Sequence, residues 1–305
     1  MSKKIILIAG PTASGKSKLA ISLAKKIKGE IINADSMQVY KEFSILSSRP
    51  AKSDLIKVRH HLYGFLSSKK HFSTGAWLKL VKKQIKLCIK KKKVPILVGG
   101  TGLYFDAITK GITKIPNINF KLRNQIRNLQ KKIGQEAFYK KLLKLDPQVK
   151  GKIETFDVQR SLRAYEVKKF TKKSIYDWFK STKSEFKDYE IFKVFLDIPR
   201  EELLKNISIR IDKMLKVGSI NEVKKFIKLK LDPSLSANKI IGVKEIKDYL
   251  LGLISIDQVK ELMNIKTRQY AKRQMTWARG RMSDWKREYS NNFSQLLKKI
   301  LKELS

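Results

Sequence analysis

The chain contains little cysteine, histidine and proline for its length. It has one cysteine, three histidines and seven prolines among 305 residues. The single thiol, Cys88, can form neither an internal disulfide nor a cysteine-rich zinc site, which fits a reducing compartment. His60, His61 and His71 are too few and too poorly spaced to predict a metal centre. We therefore expect the cysteine and the histidines to be structural.

Long hydrophobic runs are also missing. No apolar stretch approaches the ~18 residues of a membrane span. The opening segment, MSKKIILIAG, begins like a signal peptide, but its apolar run is shorter than the roughly 7 to 15 residues of a signal-peptide core. We expect a cytoplasmic protein with no membrane partner.

Acidic residues are scarce, and this scarcity sets the charge of the chain. Lys and Arg number 68 against 27 Asp and Glu, which gives a net charge of +41. A positive field of this size favours polyanions such as nucleic acid or an anionic membrane surface. Most of the excess is lysine, accompanied by many isoleucines and asparagines, so a genome-wide coding bias is a second explanation.

A glycine-rich segment, GPTASGKS, follows the first apolar run. It matches the phosphate-binding pattern G-x-x-x-x-G-K-[ST], in which backbone N–H groups at a helix N-terminus cradle phosphates. The lysine neutralises phosphate charge, and the serine hydroxyl binds Mg²⁺. A plain tight turn is the alternative. The predicted phosphate-binding residues are Gly10, Pro11, Thr12, Ala13, Ser14, Gly15, Lys16 and Ser17.

Short apolar runs alternate with helical patterns over the first part of the chain. The runs are KIILIAG, EIINADS and VPILVGG, with helices predicted over about 16–28 and 76–91. This alternation is typical of a parallel α/β sheet, whose ligands bind outside the carboxyl ends of the strands. We therefore predict a P-loop NTPase-like core in which the loops at Gly10, Asp35 and Gly99 converge.

A lysine-rich helical texture interrupts this alternation, and strand character returns in YEIFKVFLDIP. The simplest interpretation is an inserted all-helical subdomain at 116–189 within a core formed by 1–115 and 190–305. After Pro199 the pattern is helical to the end, with a break near KLDPSLSANKIIGVKE.

Asp35 ends the second apolar run. In a nucleotide hydrolase an aspartate at this place often holds magnesium, and in a transferase it could accept a proton from the attacking group. A helix N-cap at Asp35 or Ser36 is the structural alternative.

Six blocks occur together in an order that resembles the tRNA dimethylallyltransferases, also called tRNA isopentenyltransferases. They are GPTASGKS, NADSMQVYKEFSI, HHLYG, VPILVGGTGLYFDAI, DVQRSLRAYEV and TRQYAKRQMTW. Members of this family transfer the dimethylallyl group of dimethylallyl pyrophosphate to the exocyclic amine of the adenosine 3′-adjacent to the anticodon. The resemblance therefore implies that the phosphate loop holds a prenyl pyrophosphate, with Mg²⁺ as cofactor.

The resemblance also implies roles for individual residues. Asp35 is the natural base, Lys16 and Thr12 contact the pyrophosphate, and Arg210 matches a distant arginine on the leaving group. The residues implied in tRNA binding are Asp35, Ser36, Met37, Gln38, Thr101, Arg123, Gln159, Arg160 and Arg163. The partners implied are tRNA and dimethylallyl pyrophosphate, bound by a monomer.

Two other functions remain as alternatives at this point. A P-loop small-molecule kinase would share the core but need an ATP-hydrolysis apparatus, whereas VPILVGGTG has glycines where such a strand often ends in an acidic residue. An RNA-binding P-loop protein without catalysis would not need Asp35. One departure from the family pattern is Val243, which stands where an aromatic residue is common.

Overall fold

The computed structural model describes residues 3–304, which form two compact units. The first unit contains the described residues up to Thr109 and from Phe186 onward, and the second unit is Lys110–Glu185. The predicted boundaries of the inserted subdomain, 116 and 189, lie a few residues after the observed boundaries, Lys110 and Glu185. We refer to these parts as the core unit and the helical unit.

Within residues 3–304, the strands of the core unit form one parallel six-stranded sheet. They are β1 (Lys4–Ala9), β2 (Gly29–Asn33), β3 (His60–His61), β4 (Val94–Gly99), β5 (Glu190–Leu196) and β6 (Lys286–Glu288). Their order in the sheet is β3-β2-β4-β1-β5-β6. In the central strand β1, Ile6 pairs with Ile96 of β4 and Phe192 of β5. The apolar run of β1 is buried because a central parallel strand is covered on both faces.

Helices make up most of the remaining structure. Those of the core unit are α1 (Lys16–Lys26), α2 (Lys52–Lys57), α3 (Thr74–Lys90), α4 (Gly102–Thr109), α9 (Arg200–Lys216), α10 (Ser219–Ile227), α11 (Val243–Leu250), α12 (Ile256–Arg281) and α13 (Phe293–Leu304). Those of the helical unit are α5 (Phe120–Ile133), α6 (Gln135–Leu145), α7 (Val158–Thr171) and α8 (Ile175–Lys180). None of the helices in 3–304 is both long and apolar enough to cross a bilayer.

Two apolar clusters of described residues form part of the interior of the core unit. In one, sheet residues such as Ile6 and Ile96 pack against Leu23 of α1 and Ile300 of α13. In the other, the segment after β2, including Phe43, packs against the helices α9 to α12. The second cluster fixes the chain beyond Asp35 against α9 and α12, which carry further site residues.

The helical unit has its own interior. Phe138 and Leu142 of α6 are fully buried, as are Ala164 and Val167 of α7. The hydroxyl of Tyr139 donates to the backbone carbonyl of Ile153 at 2.7 Å, which anchors the turn before α7.

The prediction of a purely helical chain after Pro199 is wrong at one place. Lys286–Glu288 forms β6, which pairs in parallel with Val194–Leu196 of β5. The segment reads KRE and has no apolar alternation, so only its pairing with β5 makes it a strand. The short strand β3 likewise exists through its pairing with Ile31 and Ile32 of β2.

Candidate active site

The phosphate loop connects β1 directly to α1. Gly15 precedes the helix with a φ of 83°, a left-handed conformation that glycine adopts without steric cost. Lys16 Nζ donates to the carbonyl of Pro11 at 3.0 Å, within its own loop. Ser14 Oγ is buried without a hydrogen-bond partner. The loop thus holds two side-chain donors that an anion could engage.

Two long-range contacts fix the other end of the loop. Arg210, on α9, donates from Nη1 to Thr12 Oγ1 at 2.9 Å. The N–H of Thr12 donates to Gln274 Oε1 at 2.9 Å, and Gln274 Nε2 donates to the carbonyl of Gly100 at 2.9 Å. Gln274 of α12 therefore links the phosphate loop to the loop after β4.

Sequence reasoning missed Gln274. The available signal was its place in TRQYAKRQMTW, one helical turn from both Tyr270 and Trp277 and therefore on the same face of α12. A polar side chain on a face shared with two aromatic residues suggests a specific partner.

Asp35 follows β2 at the same edge of the sheet. Its N–H donates to Asn33 Oδ1 at 2.8 Å, and its Oδ1 accepts from the N–H of Met37 at 2.9 Å. No helix starts here, because the next one in the described chain is α2 at Lys52, so the N-cap alternative is wrong. The carboxylate is instead held by a turn of its own segment.

Thr101 joins this turn to the loop after β4. Its Oγ1 accepts from the N–H of Ser36 at 2.9 Å and donates to Ser36 Oγ at 3.3 Å. The close approach of the end of β4 to the segment after β2 requires glycine at position 99, because a Cβ there would overlap the backbone carbonyl of Ala34. The Gln38 side chain does not contact Thr101 in this way. Its Nε2 donates instead to the backbone carbonyls of Ser47 and Ser48, both at 2.9 Å.

The charges at this edge influence one another. Burial and the Arg210 guanidinium lower the pKa of Lys16 to about 8, and the Asp35 carboxylate acts against that shift. Burial also lowers the pKa of Arg210, again opposed by Asp35. Burial and Asp35 together raise the pKa of Tyr270. The two cations are therefore held in a poorly solvated place beside a single carboxylate.

A cavity of about 300 Å³ opens beside these groups. Thr12, Asp35 and Arg210 form part of its polar wall, and the other polar lining residues are Ser47, Ser48, Lys239, Thr267, Tyr270 and Arg273. Its apolar lining residues are Met37, Leu46, Ile211, Met214, Ile240, Ile241 and Met263. Such a combination suits a small ligand with a charged end and an apolar end.

A second cavity, of about 820 Å³, shares Ser48, Arg210 and Met214 with the first. Its cationic lining residues are Arg49, Lys52, Arg210 and Lys213. Since no acidic side chain lines it in the described chain, this cavity favours anions.

The predicted tRNA residues of the helical unit lie on α5 and α7. Arg123 Nε and Arg163 Nη1 each lie 3.4 Å from Glu166 Oε2, whose side chain is only 3% exposed. Arg160 Nε lies 3.4 Å from Asp157 Oδ2, at the exposed start of α7, and Gln159 is exposed beside it. Sequence reasoning missed Glu166, the carboxylate shared by two of the arginines.

Glu30, His61 and Cys88 form the one group of three potential metal ligands in the described residues. His61 Nε2 lies 2.6 Å from Glu30 Oε2, and Cys88 Sγ donates to the same oxygen at 3.6 Å. Burial, with the Glu30 charge, raises the pKa of Cys88 to about 12. His61 Nε2 and Cys88 Sγ therefore share Glu30 Oε2 as a hydrogen-bond partner, and we interpret the group as a hydrogen-bond network.

Comparison with protein families gives one matching model, IPP transferase, over residues 38–281. The tRNA dimethylallyltransferase of Pelagibacter ubique is 56% identical over 282 residues, which cover 92% of this chain and 90% of that protein. The enzyme of the same name from Rickettsia massiliae is 44% identical over 99% of this chain and 84% of its own. Sequence identities this high, over most of both chains, assign the chain to the same family as these relatives.

Solved structures agree with this result. The full-length tRNA isopentenylpyrophosphate transferase of Bacillus halodurans superposes with a TM-score of 0.72 at 29% identity, covering 99% of this chain and 96% of that one. A eukaryotic dimethylallyltransferase acting on tRNA superposes with a TM-score of 0.79 at 29% identity, covering 91% and 70%. The chain therefore belongs to the IPP transferase family, the family of the tRNA dimethylallyltransferases.

Proposed function

We propose that this protein transfers the dimethylallyl group of dimethylallyl pyrophosphate to the exocyclic amine of the adenosine 3′-adjacent to the anticodon, giving isopentenyladenosine. The observation that carries the proposal is the convergence at one sheet edge of the phosphate loop, Arg210 and Asp35 beside an apolar cavity. We further propose that the enzyme acts as a monomer in the cytoplasm, where its tRNA substrates are found.

The pyrophosphate occupies the phosphate loop, residues 10–17. Backbone N–H groups of the loop, Lys16, Thr12 and Arg210 contact its oxygens, and the unpartnered hydroxyl of Ser14 supplies one more donor. Because charge grows on these oxygens as the leaving group departs, donors that are already in place lower the barrier.

Mg²⁺ is the proposed cofactor, and the residues of the loop fit it. The Ser17 hydroxyl is exposed in the first turn of α1, and Mg²⁺ binds through one or two protein oxygens together with substrate phosphates. Bound there by Ser17 and the donor, the ion supplies charge neutralisation at the leaving group.

Asp35 acts as the general base. The adenine amine attacks C1 of the dimethylallyl group, the C1–O bond breaks, and the electron pair leaves with pyrophosphate. The proton released by the amine passes to Asp35. The contact between Oδ1 and the N–H of Met37 orients the carboxylate, and Asp35 lines the cavity beside the phosphate loop.

Asp35, Ser36, Met37, Gln38 and Thr101 surround the adenine, which must be extruded from its stack before the amine is reachable. Asp35 and Met37 of this group also line the cavity of about 300 Å³. The dimethylallyl group occupies the methionine- and isoleucine-rich wall, between the phosphate loop and the adenine.

Arg123, Gln159, Arg160 and Arg163 of the helical unit contact the tRNA. This assignment is supported by the positive charge along α5 and α7 and by the exposure of Gln159 and Arg160 to solvent. Unpaired loops are the parts of an RNA in which bases are most accessible to side chains.

The test is incubation with dimethylallyl pyrophosphate, Mg²⁺ and bulk tRNA, followed by nucleoside analysis. We expect a new hydrophobic adenosine derivative without added ATP, and its loss in Lys16→Ala. Robust ATP turnover in the absence of tRNA, abolished by Lys16→Ala, would overturn the proposal and favour the kinase.

A further inference from the structure

Most of the exposed phenylalanines in the described residues lie in the helical unit. Five phenylalanines are exposed among residues 3–304, and four of them belong to the helical unit. These four are Phe120, Phe156, Phe170 and Phe179. Of these four, Phe156 lies nearest in sequence to Gln159 and Arg160.

Phe156 is the most exposed of them, at 78%. It lies in the turn between Ile153, which is buried, and the start of α7. Its phenyl group therefore faces water in the free protein, and a partner that covered the ring would gain free energy from removing it from water.

The backbone on either side of Phe156 is held firmly. Gln135 Nε2 donates to the carbonyl of Thr155 at 2.7 Å, and the N–H of Asp157 donates to the carbonyl of Glu154 at 3.0 Å. Asp157 then caps α7 by accepting from the N–H of Arg160 at 3.0 Å. The ring is thus presented on a pre-organised turn, which reduces the ordering entropy lost when a partner binds.

The surroundings of Phe156 select the kind of partner. Gln159 and Arg160 are exposed one turn further along α7, and the helix N-terminus adds positive potential. An aromatic face beside an arginine and an amide matches the chemistry by which proteins hold single-stranded RNA, with stacking on the base and hydrogen bonds to its edge. An apolar protein partner would not require the adjacent cation.

We propose that Phe156 stacks on an unpaired base of the tRNA anticodon loop and so fixes the register of the substrate on the helical unit. This inference rests on the proposed function, which assigns Gln159 and Arg160 to tRNA contact. The base that stacks is distinct from the adenine that reacts, since the reacting base is held by residues of the core unit.

The experiment compares Phe156→Ala, Phe156→Trp and Leu253→Ala for binding to an anticodon stem-loop, by fluorescence anisotropy at several salt concentrations. Leu253 is 68% exposed in the core unit and controls for loss of exposed apolar surface. We expect Phe156→Ala to raise Kd by roughly 5- to 150-fold, the effect of losing one stacked base. Its salt slope should match wild type because no phosphate contact is lost. Phe156→Trp and Leu253→Ala should bind like wild type.

A second readout reports stacking directly. 2-Aminopurine is placed at each unpaired loop position in turn, and its fluorescence falls when the base stacks. We expect one position to be quenched by wild type and by Phe156→Trp but not by Phe156→Ala. Binding of Phe156→Ala at wild-type affinity, or a Phe156→Trp variant as weak as Phe156→Ala, would overturn stacking, as would dimerisation that depends on Phe156 while RNA binding does not.

Wild-type prenyl transfer is measured in the same preparation. If wild type transfers the group and Phe156→Ala binds normally, only this inference fails. If wild type does not modify tRNA at all, the proposed function fails first.

Discussion

At the scale of single residues, Asp35 depends on its neighbours in sequence for its orientation. Asn33 accepts from its N–H and Met37 donates to its Oδ1, so the turn that follows β2 directs the carboxylate. This arrangement permits a substitution that removes the base while keeping a hydrogen-bond acceptor at Oδ1.

Asp35→Asn should lower the rate of prenyl transfer by ~10²- to 10⁴-fold, the usual cost of losing a general base, with little change in tRNA affinity. Single-turnover kinetics with saturating tRNA measures the effect. Asp188→Asn, at an exposed aspartate of the core unit, is the matched control. Near wild-type turnover in Asp35→Asn would remove this residue from the mechanism.

Lys16 should make donor binding depend on pH. Its pKa of about 8 in the free protein rises when it contacts a diphosphate, so above that pH binding takes up one proton. Affinity is therefore full below a pH of about 8 and falls about tenfold for each further pH unit until the higher pKa is reached. A terminal phosphate has already lost its second proton above a pH of about 6, so the donor does not produce this change.

Calorimetric titration with dimethylallyl pyrophosphate in the absence of tRNA measures this dependence, and buffers of different ionisation enthalpy count the protons. Lys16→Arg, which stays charged throughout, should flatten the pH profile even if its affinity is lower. A wild-type Kd that does not change between a pH of about 7 and about 10 would contradict the prediction.

At the scale of elements, α12 takes part in the site through Gln274. The side chain joins two loops at the carboxyl edge of the sheet, the phosphate loop at Thr12 and the β4 loop at Gly100. Gln274 also packs where a Cβ on Gly100 would stand, so the helix can approach only because that residue is glycine.

Gln274→Ala should reduce kcat/KM by roughly 30-fold, because two hydrogen bonds of about 1 kcal/mol each are lost at the phosphate loop. Gln269→Ala, at an exposed glutamine on the same helix, should leave kcat/KM unchanged. Steady-state kinetics with donor as the varied substrate provides the comparison. Equal behaviour of the two variants would mean that Gln274 does not position the loop.

At the scale of the whole molecule, the net charge of +41 leaves open whether particular cations bind tRNA or the field as a whole does. Arg160 distinguishes these cases because its side chain is 64% exposed and its ion pair within 3–304 is with Asp157, at the start of α7. Arg123 and Arg163 have to be replaced together with Glu166, because replacing the two arginines alone would leave the Glu166 carboxylate buried and unpaired.

Arg160→Gln should reduce the slope of log Kd against log salt by about 0.7 to 0.9, the value for one lost phosphate contact. The variant combining Arg123→Gln, Arg163→Gln and Glu166→Gln should reduce the slope further without a buried charge. Lys298→Gln, at an exposed lysine of α13, is the control. If all three variants have the same slope, binding depends on total charge rather than on these arginines.

Features that depend on neighbouring residues could be predicted from the sequence alone. GPTASGKS forms a loop between β1 and α1 because its glycines and the apolar run before it act locally, and the resemblance of six blocks identified the family that the comparisons confirm. The convergence of the loops at Gly10, Asp35 and Gly99 also followed from sequence, because parallel strands place their carboxyl ends on one edge.

The tertiary structure decided what depends on residues distant in the chain. Gln274 meets Thr12 across 262 positions, and the three residues of β6 become a strand only beside β5. The pairing of Arg123 and Arg163 with Glu166 likewise depends on α5 packing against α7. No local pattern encodes such partners, because hydrogen bonds and ion pairs form between whichever groups the packed apolar faces bring within reach.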